Sequence, residues 1–101
     1  MICLEKFYEE YGFSRTLLAE CIKVSVSTLR KYECSNTDHM RKSTIDKIET
    51  GVGRMKELNL HVDYLHFGKG CVLYWDDPER RITKNDWVTT AGIVQHLIGV
   101  A

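Results

Sequence analysis

The residues from 25 to 31 place three hydroxyl groups and two permanent cations within two turns of chain. They are Ser25, Ser27, Thr28, Arg30 and Lys31. Hydroxyl and cationic groups are the side chains that bind phosphates and the edges of bases. The same residues are equally compatible with the solvated face of an ordinary core helix. The surrounding sequence has to decide between the two interpretations.

Metal and catalytic chemistry have weaker sequence support. Cys34 and His39, and also His61 and His66, are separated by four residues, but closed zinc sites usually contain a tight cysteine pair, and no C-x-x-C occurs. No Gly-x-Ser-x-Gly, P-loop or His-Glu-x-x-His motif is present. We therefore expect neither a metal nor a cofactor, and no enzymatic activity.

The charge balance constrains what the chain can bind. The 101 residues carry 14 basic and 14 acidic side chains, so the formal net charge is zero. A nucleic-acid-binding protein of this composition must concentrate its positive charge on one face. Residues 23 to 42 meet that condition, because they contain five cations and only two carboxylates. The cations are Lys23, Arg30, Lys31, Arg41 and Lys42.

The first half of the chain predicts four helices. The first spans residues 2 to 11 and ends at Gly12, and the second spans 15 to 22 after Ser14 as N-cap. Ser25 caps a third helix from 26 to 33, and the polar residues 34 to 40 form a loop.

Ser43 or Thr44 then starts the fourth predicted helix. Its apolar residues recur every three or four positions, which is the helical period. They are Ile45, Ile48, Val52, Met55 and Leu58. Gly51 and Gly53 weaken this helix by about 1 kcal/mol each relative to alanine.

Residues 60 to 101, which we call the tail, have a different pattern. The β-branched and aromatic runs LHVDYLHF and CVLYWDD, separated by GKG and closed by Pro78, predict a β-hairpin. Residues 83 to 99 then predict a helix with Trp87, Ala91, Val94 and Ile98 on one stripe and Gly99 as its end. Alternatively, residues 55 to 65 extend the fourth helix.

The second and third helices have the residues that two helices packed around a tight turn require. Leu18 and Ile22 lie on the inner face of one, and Leu29 and Tyr32 on that of the other. Ala19 is small enough for the point of closest approach. Val24 fills the corner between the helices.

These residues are the basis of a resemblance between this chain and a known protein family. The segment LLAECIKVSVSTLRKYE, residues 17 to 33, resembles the helix-turn-helix of the lambda-repressor and Cro-like family, and RKSTIDKIE resembles the start of that family's next helix. The similarity covers about residues 2 to 58. This chain departs from the family in having Lys23 where glycine is usual, and in its longer loop 34 to 40.

The resemblance implies a mainly α fold, a four- to five-helix lambda-repressor-like domain followed by a β-hairpin and a C-terminal helix. It also implies that the third helix enters the major groove of DNA. Val26, Ser27, Arg30 and Lys31 would then face the bases, with Arg15 on a phosphate. Thr28, Arg41 and Lys42 are further phosphate candidates, and Lys23 adds charge at the turn. The candidate DNA-binding set is Arg15, Lys23, Ser25, Val26, Ser27, Thr28, Arg30, Lys31, Arg41 and Lys42.

The functional expectation is a sequence-specific regulator of transcription that binds double-stranded DNA, similar to small phage or bacterial repressors. We expect residues 1 to 59 to form the DNA-binding domain. Residues 60 to 101 would supply a homodimer interface for an inverted repeat, or would only complete the core.

Two other functions stay open. One is a protein-binding module, such as an antitoxin or an inhibitor of another regulator, and the other is RNA binding by the same basic face. The absence of a signal-peptide pattern and of an 18-residue apolar run predicts a cytoplasmic protein with no membrane partner.

Overall fold

The computed structural model describes residues 2–64, 71–75, 79, 81–84 and 87–99. Over these residues the chain forms five helices and three strands. They are α1 Leu4–Tyr11, α2 Arg15–Ile22, α3 Val26–Glu33, α4 Lys42–Glu57, β1 His61–Tyr64, β2 Cys71–Tyr74, β3 Ile82–Lys84 and α5 Trp87–Ile98. The predicted mainly helical fold with a small β element in the tail is confirmed at this level.

Local capping residues set the ends of the first three helices, as the sequence predicts. Gly12 closes α1 in the left-handed conformation, with φ at 74° and its N–H donating to the carbonyl of Tyr8. The hydroxyl of Ser14 accepts from the backbone N–H of Leu17 at 3.1 Å, which caps α2. Lys23 ends α2 with φ at 57° and ψ at 49°, the left-handed position that glycine usually occupies.

The fourth helix begins earlier than predicted. It starts at Lys42, and Arg41 occupies the N-cap position without a side-chain hydrogen bond to the helix. Because the Arg41 guanidinium has no acceptor atom, it cannot accept a hydrogen bond from a backbone N–H of the first turn, as the hydroxyl of Ser43 or Thr44 would at the N-cap. Ile48, Val52 and Met55 are buried as predicted, together with Gly51. Ile45 is half-buried.

The tail forms an antiparallel sheet in the order β1-β2-β3. The predicted hairpin strands pair in one register from His61 opposite Tyr74 to Tyr64 opposite Cys71. The turn residues 68 to 70 and Pro78 lie outside the described residues. The alternative extension of the fourth helix through residue 65 is wrong, because Asn59 takes the left-handed conformation with φ at 51° and the chain then enters β1.

The predicted start of the last helix is also wrong. Residues 82 to 84 form β3, whose Ile82 lies opposite Leu73 of β2, and α5 begins only at Trp87. Ala91, Val94 and Ile98 of the predicted stripe are buried, and Gly99 ends the helix with φ at 79°. The fourth stripe residue, Trp87, has a side chain outside the described part of the chain.

A single core joins the two halves. Helix α5 packs along α2 and also contacts β2 and α4. Buried Cys71 of β2 and Thr90 of α5 meet inside it, with 2.6 Å between the sulfur and the hydroxyl oxygen. The tail therefore completes the core of the monomer and supports the side of α2 that faces away from solvent.

Candidate nucleic-acid interface

Helices α2 and α3 pack around the turn of residues 23 to 25 through the side chains that the sequence assigns to their inner faces. Leu18, Ile22 and Leu29 have no solvent exposure, and Tyr32 has almost none. Ala19 is buried where the sequence places the closest approach. The phenol oxygen of Tyr32 also accepts from the backbone N–H of Ile2 at 2.9 Å, so α3 is attached to the start of the chain.

The opposite side of α3 is open to solvent. Ser27, Arg30 and Lys31 are exposed, whereas Val26 and Thr28 are half-buried at the edge of the face. The described part of the tail leaves this face uncovered. Because the inner residues of α3 are enclosed by the core, the helix is held firmly, and its polar side chains on the outer face are exposed to solvent.

The hydroxyl groups at the start of α3 form a compact network. The Ser25 oxygen accepts from the backbone N–H of Thr28 at 3.1 Å. It also lies 2.6 Å from the Thr28 hydroxyl and 3.2 Å from that of Ser27. Ser25 therefore orients the first turn of the helix, and Ser25 and Ser27 are exposed whereas Thr28 is half-buried.

An ion pair connects the beginning of α2 with the end of α3. The Nε–H of Arg15 donates to the Glu33 carboxylate, at 2.8 Å to Oε2 and 3.2 Å to Oε1. The hydrogen bond that Arg15 donates to Glu33 is the main reason that the pKa of Arg15 is raised. Nearby, burial and then the Glu33 carboxylate raise the pKa of the Tyr8 phenol far above its usual value. Since the guanidinium has five N–H donors, Arg15 can bond Glu33 through Nε and retain donors for a phosphate.

A cationic cleft lies between the end of α3, the loop that follows it and the start of α4. Its volume is about 460 Å³. Three residues of the predicted set line it, namely Thr28, Lys31 and Arg41. The sequence analysis missed its other lining residues, which are Asn36, His39, Met40 and Thr44. The composition of residues 34 to 40 predicted a loop, but it gave no sign that the loop folds back, with the Asn36 N–H donating to the Lys31 carbonyl at 2.9 Å.

The remaining predicted cations lie around this cleft without lining it. Lys23 is exposed at the turn, Arg30 on the outer face of α3, and Lys42 on the first turn of α4. A further cation that the sequence analysis missed, Lys47 of α4, donates from Nζ to the Lys23 carbonyl at 3.1 Å. Lys47 therefore lies next to the turn of residues 23 to 25.

Other kinds of site have less structural support. Among the described residues, no group of three or more His, Cys, Asp or Glu side chains could hold a metal ion, and His66 lies outside them. No helix in the described part of the chain is long and apolar enough to cross a membrane. Comparisons with models of protein families, with curated proteins and with solved structures find no match to this chain.

Proposed function

We propose that this protein is a sequence-specific regulator that binds double-stranded DNA through a lambda-repressor-like helix-turn-helix formed by α2 and α3. It would act as a homodimer on an inverted repeat. The observation that carries the proposal is the division of α3 into a fully enclosed apolar side and an exposed side with Ser27, Arg30 and Lys31. An amphipathic helix that only completes a core also has one apolar side and one polar side. What favours DNA here is that the exposed side of α3 carries a hydroxyl and two cations, within a segment where cations outnumber carboxylates.

The dimensions of α3 suit the major groove. An α-helix with its side chains is about 10–12 Å across, and the major groove is about 12 Å wide. In that position the Arg30 guanidinium can donate two hydrogen bonds to the acceptors of a guanine, and the Ser27 hydroxyl can bond several bases. Val26, at the N-terminal end of the helix, can contact a thymine methyl group.

The cationic cleft would hold the DNA backbone beside the groove. Lys31 and Arg41 supply charge there, and Asn36 and Thr44 supply uncharged polar groups. Contacts of this kind fix the register of the protein on the duplex but do not distinguish sequences. The zero net charge is compatible with this role because residues 23 to 42 carry five cations and two carboxylates, and Lys31 and Arg41 of this segment line the same cleft.

The test is selection of bound duplexes from a random pool, followed by titration of the best duplex with variants. We expect an enriched inverted repeat, and we expect the double variant Arg30→Ala/Lys31→Ala to lose most of its affinity. Lys56→Ala is the matched control, since Lys56 is an exposed cation near the far end of α4 and should leave binding unchanged.

Salt titration adds a quantitative check. Log affinity falls with log salt concentration, and each lost phosphate contact should make this negative slope shallower by about 0.9. Arg41→Ala, which removes a phosphate candidate, should make the slope shallower without changing the selected sequence. Wild-type affinity in the Arg30→Ala/Lys31→Ala variant would refute the proposal.

A further inference from the structure

An apolar patch lies at the opposite end of α4 from the cationic cleft. It consists of Leu58, Leu60, Trp75 and Leu97, which surround a shallow pocket of about 250 Å³. Leu58 is 40% exposed, the large apolar side chain most open to water among the described residues. Trp75 and Leu97 are half-buried, whereas Leu60 forms the floor of the pocket.

Charged groups of both signs border the apolar patch. Arg54, Glu57 and His96 line an adjoining pocket that shares Leu58 and Leu97 with it. Arg54 is held in place because its Nη1 donates to the carbonyl of Ile98 at 2.7 Å. Arg54 and Glu57 are three residues apart on α4, so they lie on the same side of the helix.

We infer that a second copy of this chain docks on the apolar patch around a two-fold axis. In such a contact each surface meets itself, so Leu58 and Leu97 of one protomer would cover those of its partner. A rim that carries both a cation and a carboxylate is self-complementary under this symmetry, since Arg54 of each copy can face Glu57 of the other. The zero formal net charge means that two copies approach without overall repulsion.

The position of the patch also suits the proposed function, on which this part of the inference rests. Thr44 lines the cationic cleft and Leu58 the apolar patch, and the 14 residues between them rise by about 21 Å along α4. With the two-fold axis at Leu58, the Thr44 residues of the two copies lie at most about 42 Å apart along their helices. This is of the same order as the spacing of about 34 Å between successive major-groove sites on one side of DNA, so such a dimer is compatible with two half-sites.

The experiment that tests the inference is sedimentation equilibrium of the full chain without DNA. Wild-type protein should have the mass of two chains at micromolar concentration, and Leu58→Glu should weaken self-association by about tenfold or more. Because Leu58 is partly exposed, this substitution should leave the fold intact, which circular dichroism checks. Lys56→Glu, two residues away, changes the charge by two units where Leu58→Glu changes it by one, so it is a stringent electrostatic control and should associate like wild type apart from a small electrostatic effect.

Two results would overturn the inference. One is a wild-type protein that stays monomeric up to about 100 μM, well above the affinities of specific protein pairs. The other is a folded Leu58→Glu variant that dimerises as well as wild type.

Titration of the selected duplex separates this inference from the proposed function. Leu58→Glu should bind a single half-site like wild type but lose affinity for the full repeat. Arg30→Ala/Lys31→Ala should remain a dimer and lose both duplexes. Dimerisation that Leu58→Glu abolishes, in a wild type that binds no duplex, would support the patch and refute DNA binding. Tight DNA binding by a monomeric wild type would refute the patch and the homodimer but leave DNA binding by α3 standing.

Discussion

Two glycines of α4 provide a matched test of the packing that positions the candidate interface. Gly51 and Gly53 belong to the same helix, and replacing either by alanine should stabilise the helix itself by about 1 kcal/mol. Their surroundings differ. A Cβ atom on Gly51 would lie 2.7 Å from Cγ2 of Ile22, whereas one on Gly53 would have no described heavy atom outside its own helix and its chain neighbours within 4 Å.

The expected magnitudes follow from these contacts. Ile22 is completely buried at the end of α2, and a β-branched side chain has one strongly preferred rotamer in a helix, so it cannot easily move away. Overpacking of this kind costs about 1–3 kcal/mol. Gly53→Ala should therefore raise the free energy of unfolding by about 1 kcal/mol. Gly51→Ala should lower it by up to about 2 kcal/mol after the helix gain is subtracted.

Urea denaturation followed by circular dichroism measures both values. In thermal melts, Gly53→Ala should raise the midpoint by about 4 °C, while Gly51→Ala should leave it unchanged or lower it. Equal stabilisation by both substitutions would refute the reasoning, because it would mean that α4 does not approach α2 at Gly51. The placement of α2 against α4, and with it that of α3 and the cationic cleft, would then also differ from the one described.

Two further predictions concern the turn and the cysteines. Lys23→Gly should raise the free energy of unfolding by about 0.5–1 kcal/mol, because the left-handed conformation costs lysine about 1–2 kcal/mol and only part of this is offset by the flexibility of glycine. Under the proposed function the same variant should bind DNA more weakly, because it lacks a cation. A free energy of unfolding below that of wild type would contradict the left-handed backbone at Lys23. Native protein should take up two thiol labels and urea-unfolded protein four, as measured by intact mass. Rapid uptake of four labels by native protein would contradict the burial of Cys21 and Cys71. Cys3 and Cys34 are exposed, Cys21 and Cys71 are buried, and burial raises the pKa of Cys21 well above that of a free thiol.

The features that the sequence predicts well are those that depend on neighbouring residues. The hydroxyls of Ser14 and Ser25 bond backbone groups three positions ahead, so the caps can be read from the sequence. Gly12 similarly ends α1 through its own backbone preference. The inner faces of α2 and α3 follow from helical periodicity, which requires only that both segments be helices.

The missed features depend on contacts between distant parts of the chain. Glu33 matched the resemblance as a sequence position, but its bond to Arg15 spans 18 residues, and Lys47 reaches Lys23 across 24. Strand β3 was missed for a similar reason. Ile82 and Thr83 are β-branched and favour a strand, but three residues are too short a run to show the strand period. They form a strand because they pair with the edge of β2.

The packing of α5 on α2 has a consequence for how such a protein can change during evolution. The Gln95 amide donates to the Glu20 carbonyl at 2.6 Å, and the apolar side of α5 lies against the helix that supports α3. Removing the tail after residue 59, or exchanging it for that of a related protein, should therefore lower the stability of the fold. Substitutions that change how α5 packs on α2 also alter the support beneath α3, so the tail and the exposed face of α3 are expected to evolve together.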